Sequence, residues 1–334
     1  MASIDENDII RCKVTLRSPI AVESLPLLSR LDRAARRKRR GIWKRVIGKP
    51  ARQLFRKMAA GNMNAMGRMR IETANGPKRI AFNARNTQFS ALYMPDYKPF
   101  YEAELCTIFD RLVGTKDTFF DIGANWGWHS IVVATRPQFA GSVHAFEPFP
   151  SSYADLTSVV KDADLGNCIE CYDIALADSD GSSGMAIPGG LHSGGAQLGQ
   201  GSDIQVRLAK LDSLDLPMPK AMKVDVEDHE IGVLQGGKNL IEKARPFIVF
   251  ENWAHRDDPA TTFAPLQFLT RAGYALYYPG WIAGDQDCIV SSYAGSDQLA
   301  LVPFLPAHRY QLGDLINIVA VAGERIAEFR SAFG

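Results

Sequence analysis

The run Phe119-Phe120-Asp121-Ile122-Gly123-Ala124-Asn125-Trp126-Gly127, with Glu147 closing a second apolar run twenty positions later, constrains this chain more than any other feature. It predicts a strand, a tight turn, a helix, a second strand and a carboxylate at that strand's end. In such a βαβ unit the first turn lies against a ligand, so it needs residues that lack a bulky Cβ or tolerate positive φ. Gly123, Asn125 and Gly127 meet that need. A carboxylate about 20 residues on accepts hydrogen bonds from both ribose hydroxyls, and Glu147 stands in that place.

The turn lacks the Gly-x-Gly-x-x-Gly that lets backbone close on a pyrophosphate, and the charge of Asp121 just before it repels phosphates. A cationic ligand fits better. S-adenosylmethionine, with an ammonium and a sulfonium, has the matching charge. The bland alternative is a structural strand-turn-helix that binds nothing.

A chain of 334 residues, 46% hydrophobic, suffices for one large α/β domain plus an appendage. It contains no run of about 18 apolar residues, and Met1 to Asp8 lack the basic-then-apolar order of a secretory leader. Five cysteines (Cys12, Cys106, Cys168, Cys171, Cys288) show no disulfide-framework spacing, and the Cys168-x-x-Cys171 pair has no second pair to share zinc with. A cytoplasmic location is expected, with Cys168 and Cys171 as filler in a strand. The net charge of +1 conceals thirteen Lys/Arg against one acid, Asp32, between Arg30 and Lys57. Apolar Trp43, Val46, Leu54, Phe55 and Met58 interleave with them. Three readings follow: a helical cap on the main domain, peripheral contact with an anionic membrane, and nucleic-acid binding. No aromatic strand platform or zinc spacing supports the last.

Three regions are expected: a basic, helical N-terminal arm over 1–61, a β-hairpin and linker over 62–100, and the main domain over 101–334. Alternating polarity on either side of Asn75-Gly76 predicts the hairpin, with a type I′ turn. Tyr97 to Leu112 reads as a helix. Strands are then expected at 118–122, 142–146, 169–176, 204–211, 221–226, 247–251, 274–278 and 316–321, with helices at 128–135, 151–161, 231–243 and 265–272. That alternation predicts a mostly parallel sheet covered on both faces. The glycine-rich 189–201 stretch, containing His192, lacks the Lys-Ser/Thr of a phosphate loop and reads as a lid or connector.

Ligands of such sheets sit beyond the carboxyl ends of the strands, and here those ends are acidic: Asp225, Glu227, Asp228 and Glu230 after one strand, Glu251 after the next. Such a cluster is costly in a dry interior unless paired, hydrogen-bonded or metal-bound. Asp225, Glu251 and Asn252 end adjacent strands and present only oxygens, the ligands Mg²⁺ prefers, so a magnesium-assisted variant is one expectation.

The chain resembles the FkbM family of S-adenosylmethionine-dependent methyltransferases. The resemblance rests on Asp121 to Gly127, Phe146-Glu147-Pro148, Ala175-Leu176 with Asp178 and Gly181, Leu211-Asp212-Ser213-Leu214, Lys223-Val224-Asp225-Val226-Glu227, Glu230 with Leu234 and Gly236, and Arg245-Pro246 leading to Glu251. It covers about Tyr101 to Trp253, near half the chain. It implies a Rossmann-like fold with a seven-stranded sheet and O-methylation of a hydroxyl on a sugar, glycan or natural product. By position, Asp121, Gly123, Asn125 and Gly127 would form the methionine-side turn and Glu147 would hold the ribose. Ala175 would lie by the adenine, and Asp225 and Glu227 would line the transfer site. The chain departs from the family at Asp228, where glycine is usual.

An aliphatic hydroxyl is a weak nucleophile, so a base in hydrogen-bond reach helps as its proton leaves. His229 is the first candidate, imidazole titrating nearest neutrality, with Asp225 and Glu227 next. The bland reading makes His229 a helix-start residue and the acids first-turn charges favoured by the helix dipole. Trp281 and 299–310 are expected in the acceptor pocket. Two readings compete with the methyltransferase: a nicotinamide-dependent oxidoreductase, disfavoured by Asp121 and the missing glycines, and a non-catalytic membrane or nucleic-acid adaptor built on the basic arm.

Overall fold

Apolar runs with no polar alternation become central strands only where helices cover both faces of the sheet, and the runs beginning at Phe119, Val143, Ala221 and Phe247 do so here. The computed structural model describes residues 6–36, 49–61, 65–186, 197–198, 204–284 and 288–334. In chain order its strands are β1 (Ile10–Lys13), β2 (Ile20–Ser24), β3 (Met66–Thr73), β4 (Gly76–Asn83), β5 (Thr118–Ile122), β6 (Ser142–Phe146), β7 (Ile169–Tyr172), β8 (Ile174–Leu176), β9 (Gly181–Ala186), β10 (Gln197–Leu198), β11 (Gln205–Ala209), β12 (Ala221–Val224), β13 (Phe247–Trp253), β14 (Tyr274–Ala283), β15 (Cys288–Val290), β16 (Gln298–Phe304) and β17 (Leu315–Ala322). Its helices are α1 (Leu27–Arg36), α2 (Lys49–Ala60), α3 (Ala103–Leu112), α4 (Trp128–Ala134), α5 (Pro150–Asp162), α6 (Glu230–Gly236), α7 (Lys238–Ala244), α8 (Pro259–Arg271) and α9 (Ile326–Phe333).

The main sheet runs β1-β16-β14-β17-β13-β12-β5-β6-β7, with β15 also on β14. Strands β13, β12, β5, β6 and β7 pair in parallel. Every pair beyond β13 is antiparallel. Among the described residues the expected seven-stranded, mostly parallel sheet is instead a ten-stranded mixed one. Residues after Tyr274 fold back as antiparallel neighbours, which need no crossover helix, and the N-terminal β1 adds to the far edge.

Side-chain alternation sends Phe119, Val143, Ala145, Ala221 and Val249 into the core beneath α3, α4, α5 and α9. Phe120, Ile122, Met222, Val224, Ile248 and Phe250 enter the core beneath α6, α7 and α8. Lys223 pairs in register with Asp121, so both point to the α4 side. A second sheet, β10-β9-β11-β8, and a third, β2-β3-β4, stand beside the first.

Residues 1–61, expected as a separate arm, contribute β1 to the main sheet and Leu28 and Phe55 to its core. Asp32, the lone acid of the basic stretch, is buried and accepts a 3.0 Å hydrogen bond from the Tyr93 hydroxyl. Residues 37–48 of the basic stretch, with Trp43, Val46 and Ile47, lie outside the described residues, as does His192. No helix among the described residues is long and apolar enough to cross a membrane.

Other expectations shift at their ends. The helix expected from Tyr97 starts at Ala103, because Glu102 before it holds a left-handed φ of 47°. The helix over 231–243 is two, divided at Gly237. The strand over 169–176 splits, β7 staying in the main sheet while β8 pairs β11. The hairpin forms, but Gly76 (φ 92°) is its only positive-φ residue, so the turn is not type I′, which needs two.

Candidate active site

The turn after β5 is held open by three positive-φ residues, Gly123 (78°), Asn125 (50°) and Gly127 (93°). Amides of Gly123 and Ala124 both donate to the Phe146 carbonyl, at 3.0 and 2.9 Å, which locks the turn to the end of β6. A Cβ on Gly123 would lie 1.7 Å from the Asp225 carbonyl oxygen, so the turn and the loop after β12 meet backbone to backbone. Only glycine allows that approach. Gly127 is the N-cap of α4.

Glu147 sits at the end of β6 with both oxygens engaged: Oε2 accepts from the Asn125 amide and Oε1 from the Phe149 amide, each at 2.8 Å. Burial pushes its carboxyl up to about 7 against the pull of those two donors. The carboxylate keeps lone pairs for further donors. Asn125 in turn accepts from Asn86 through Oδ1 at 3.0 Å.

Asp121 does not line the cavity that this turn borders. Its side chain points under α4, where Oδ2 accepts from the Ser130 amide at 2.9 Å and from the Ser130 hydroxyl at 2.6 Å. Lys223 lines the cavity instead, its Nζ 3.0 Å from Asp225 Oδ2, 3.1 Å from the Gly123 carbonyl and 3.7 Å from Asp121 Oδ1. Burial alone would lower the Lys223 pKa, but Asp225, Asp121 and Glu102 together outweigh it and raise it. The lysine is thus a fixed positive strut beneath the turn. Its place two residues before Asp225 on a strand was the available signal for it.

Gly123, Asn125, Glu147, Asp225, Glu227 and His229, which follow β5, β6 and β12, face this one cavity together with Ala175 of β8. Phe146, Pro148, Ala175 and Met185 give one end an apolar wall. The other end is acidic. Asp225, Glu227 and Glu251 each bring an oxygen within 4.8 Å of the others. Burial, then Asp225, Glu230 and Asp228, push Glu227 up to about 8 against Lys223. Burial, then Asp225 and Glu227, push Glu251 up to about 9. Protons therefore relieve much of the crowding at neutral pH.

The oxygen set expected for Mg²⁺ is not the one brought together. Asn252 is buried on the other face of β13, with its Nδ2 on the Thr262 carbonyl and its Oδ1 accepting from Arg309 at 2.6 Å. Adjacent strand residues face opposite ways, so Glu251 and Asn252 cannot serve one site. Trp281 is buried against Tyr293, and Leu299 and Leu301 are core residues of β16, so neither they nor Trp281 forms the cavity wall.

Glu102 and His129 also line the cavity, Glu102 Oε2 lying 3.1 Å from His129 Nε2. Burial raises the Glu102 pKa, yet the hydrogen bond and charge of His129 and the charge of Lys223 outweigh it and leave it lowered. No sequence spacing links 102 to 129. Glu227 and Asp228 both hold left-handed backbone, φ 52° and 74°, a conformation that costs a non-glycine residue on the order of 1 kcal/mol. His255 Nε2 lies 2.6 Å from Asp228 Oδ1.

Residues 121–276 match the sequence profile of the methyltransferase FkbM domain, as the strand-end motifs anticipated. The hexuronic acid methyltransferase AglP of Haloferax volcanii is 28% identical over 150 residues, 44% of this chain and 60% of its own length, so the match spans under two thirds of that relative. Among solved structures, methyltransferase FkbM from Methylobacillus flagellatus KT is similar at 16% identity over 56% of this chain and 44% of its own, with a TM-score of 0.38. A SAM-dependent O-methyltransferase from Thermotoga maritima is similar at 13% identity over 76% of this chain and 77% of its own, with a TM-score of 0.36.

Proposed function

We propose, for a chain whose residues 121–276 match a methyltransferase FkbM domain, that it is an S-adenosylmethionine-dependent O-methyltransferase acting on a hydroxyl of a sugar, glycan or natural product. The observation that carries this reading is the convergence of the left-handed turn, the doubly anchored Glu147 and an acidic end on one cavity. A pocket whose carboxylates outnumber its lysine suits a cation, and its apolar end suits a purine. The residues present therefore fit the cofactor. Gly123, Asn125 and Gly127 would pass beside its methionine portion, Glu147 would accept from the ribose hydroxyls, and Ala175 would lie by the adenine. The AglP relative acts on a hexuronic acid by its name, which supports a sugar-type acceptor.

When bound, the sulfonium supplies a methyl group already activated for attack. The protein's task is positioning: the walls hold the acceptor oxygen in line and keep water out. The acceptor's proton passes to His229 or Asp225, or to Glu227 once it has lost its own, all three facing the same space. Lys223 fixes Asp225, and Asp121 acts at one remove by fixing Ser130 and sharing Lys223. The Asp225, Glu227 and Glu251 oxygens are the donor set a Mg²⁺ ion would use here, and dialysis against a chelator tests whether turnover needs it.

Titration of the purified chain with S-adenosylhomocysteine and, separately, NADH tests the assignment. Binding of the former is expected. Binding of NADH alone would mean an oxidoreductase and end this reading. Methyl-labelled cofactor incubated with cell extract then identifies the acceptor class.

A further inference from the structure

The loop from Asp225 to His229 carries two consecutive left-handed residues that are not glycine, Glu227 and Asp228, and one of them, Glu227, faces the cavity. A backbone so bent persists only where its surroundings hold it. Asp225 and Asp228 both push the Glu227 and Glu230 carboxyls up, so ionising those two acids makes the loop still less favourable alone.

One contact reaches the loop from the neighbouring strand end: Asp228 Oδ1 to His255 Nε2, 2.6 Å, bridging the segments after β12 and β13. The His255 end is anchored by hydrogen bonds of its own backbone. Its amide donates to Thr262 Oγ1 at 2.8 Å, and its carbonyl accepts from the Tyr310 hydroxyl at 3.0 Å. Thr262 Oγ1 also donates to the Trp253 carbonyl at 3.0 Å, tying the start of α8 to the end of β13. His255 is outside the cavity wall, so its side chain does not face the reacting atoms.

We propose that His255 is a positioning residue: anchored by Thr262 and Tyr310, its imidazole clamps Asp228 and thereby holds the strained loop that sets the Glu227 carboxylate in the cavity. This rests on the cavity being the methyl-transfer site. The clamp replaces with a side-chain contact what a glycine at 228 would supply through backbone freedom.

Amide hydrogen exchange over 226–230 in the full chain is the test, with S-adenosylhomocysteine affinity measured alongside. His255→Ala is expected to speed exchange there at least tenfold. His255→Gln, whose amide nitrogen replaces Nε2 as donor, is expected to stay within threefold of the parent. In an Asp228→Gly background, adding His255→Ala is expected to change exchange by less than threefold. Should the alanine protein not fold, His255→Asn, too short to reach Asp228, takes its place with the same tenfold expectation. A crystal structure of the variant is expected to show the Glu227 carboxylate displaced from Asp225 and Glu251. Unchanged exchange, an equal rise in both backgrounds, no rescue by glutamine, or an unmoved Glu227 would each overturn the proposal. Failure of the parent chain to bind S-adenosylhomocysteine would instead remove the assigned function, leaving the exchange comparison readable.

Discussion

On the proposed assignment, Glu147 is the side chain at which a single substitution tests ligand affinity. Glutamine there keeps one acceptor oxygen and turns an NH₂ toward a backbone amide, so about 1–3 kcal/mol is lost. S-adenosylhomocysteine affinity, read by calorimetry, is expected to weaken roughly tenfold or more in Glu147→Gln. With its carboxyl held up to about 7 by burial, Glu147 ionises between about pH 6 and 8, and ribose hydroxyls donate best to the ionised form. Affinity should therefore strengthen as pH rises through that interval in the parent, and less steeply in the variant, where Glu227, held up to about 8, still titrates in the same cavity. Because the folded value stands above the ordinary 4.5, the folded chain binds the extra proton, and this group's contribution to stability falls as pH rises from about 4.5 to 7. Gly123→Ala forces a Cβ against the Asp225 carbonyl at positive φ, and a loss of roughly 2–4 kcal/mol is expected in denaturant melts. The placement of Gly123 and Glu147 at one cavity was legible from sequence because local backbone demands and strand-end spacing set it. Asp121 was not, since a strand position's parity is legible but which face receives the ligand depends on helices packed from elsewhere.

Elements near the site are joined by groups whose partners lie far away in sequence. Arg309 is fully buried in the short helix 306–311 and donates to Asn252 Oδ1, the Asn252 carbonyl, and the carbonyls of Gly313 and Asp314, at 2.6 to 2.8 Å. It pins the end of β13, and so the approach to Glu251 and His255, to the start of β17. Arg309→Leu removes the donor to four acceptors, of which the Asp314 carbonyl keeps the Ala254 amide, and a loss of about 3–5 kcal/mol is expected by chemical denaturation. The sequence offered no sign of this, because nothing at 309 marks it as different from an exposed arginine. The parallel strands β5 and β6 were read residue for residue, their runs being apolar and bounded by turn residues. By contrast β16 was read as pocket lining, since an apolar run with two prolines nearby does not announce which surface it joins. The break at Gly237 was missed because the apolar period continues across it, Val233 and Leu234 on one side, Leu240 and Ile241 on the other, all in one core.

At the scale of the whole molecule, the N-terminal segment is structural as well as basic. Ile10 and Cys12 pair with Leu301 and Leu299 across the sheet edge, and Leu28, Phe55 and Ile20 are buried with the main core. Deleting residues 1–61 is therefore expected to lower the melting temperature and solubility of the chain, measured by scanning calorimetry and sedimentation, before any question of membrane or nucleic-acid contact can be asked. Point substitutions of the lysines and arginines between 37 and 45 separate charge from folding. The pairing of β1 with β16 has a consequence for biosynthesis. Translation must run from Lys13 on to Gln298 before β1 finds its neighbour, so that strand waits with its hydrogen-bonding edge unfilled, and nascent chains stalled short of residue 298 should be the ones chaperones retain.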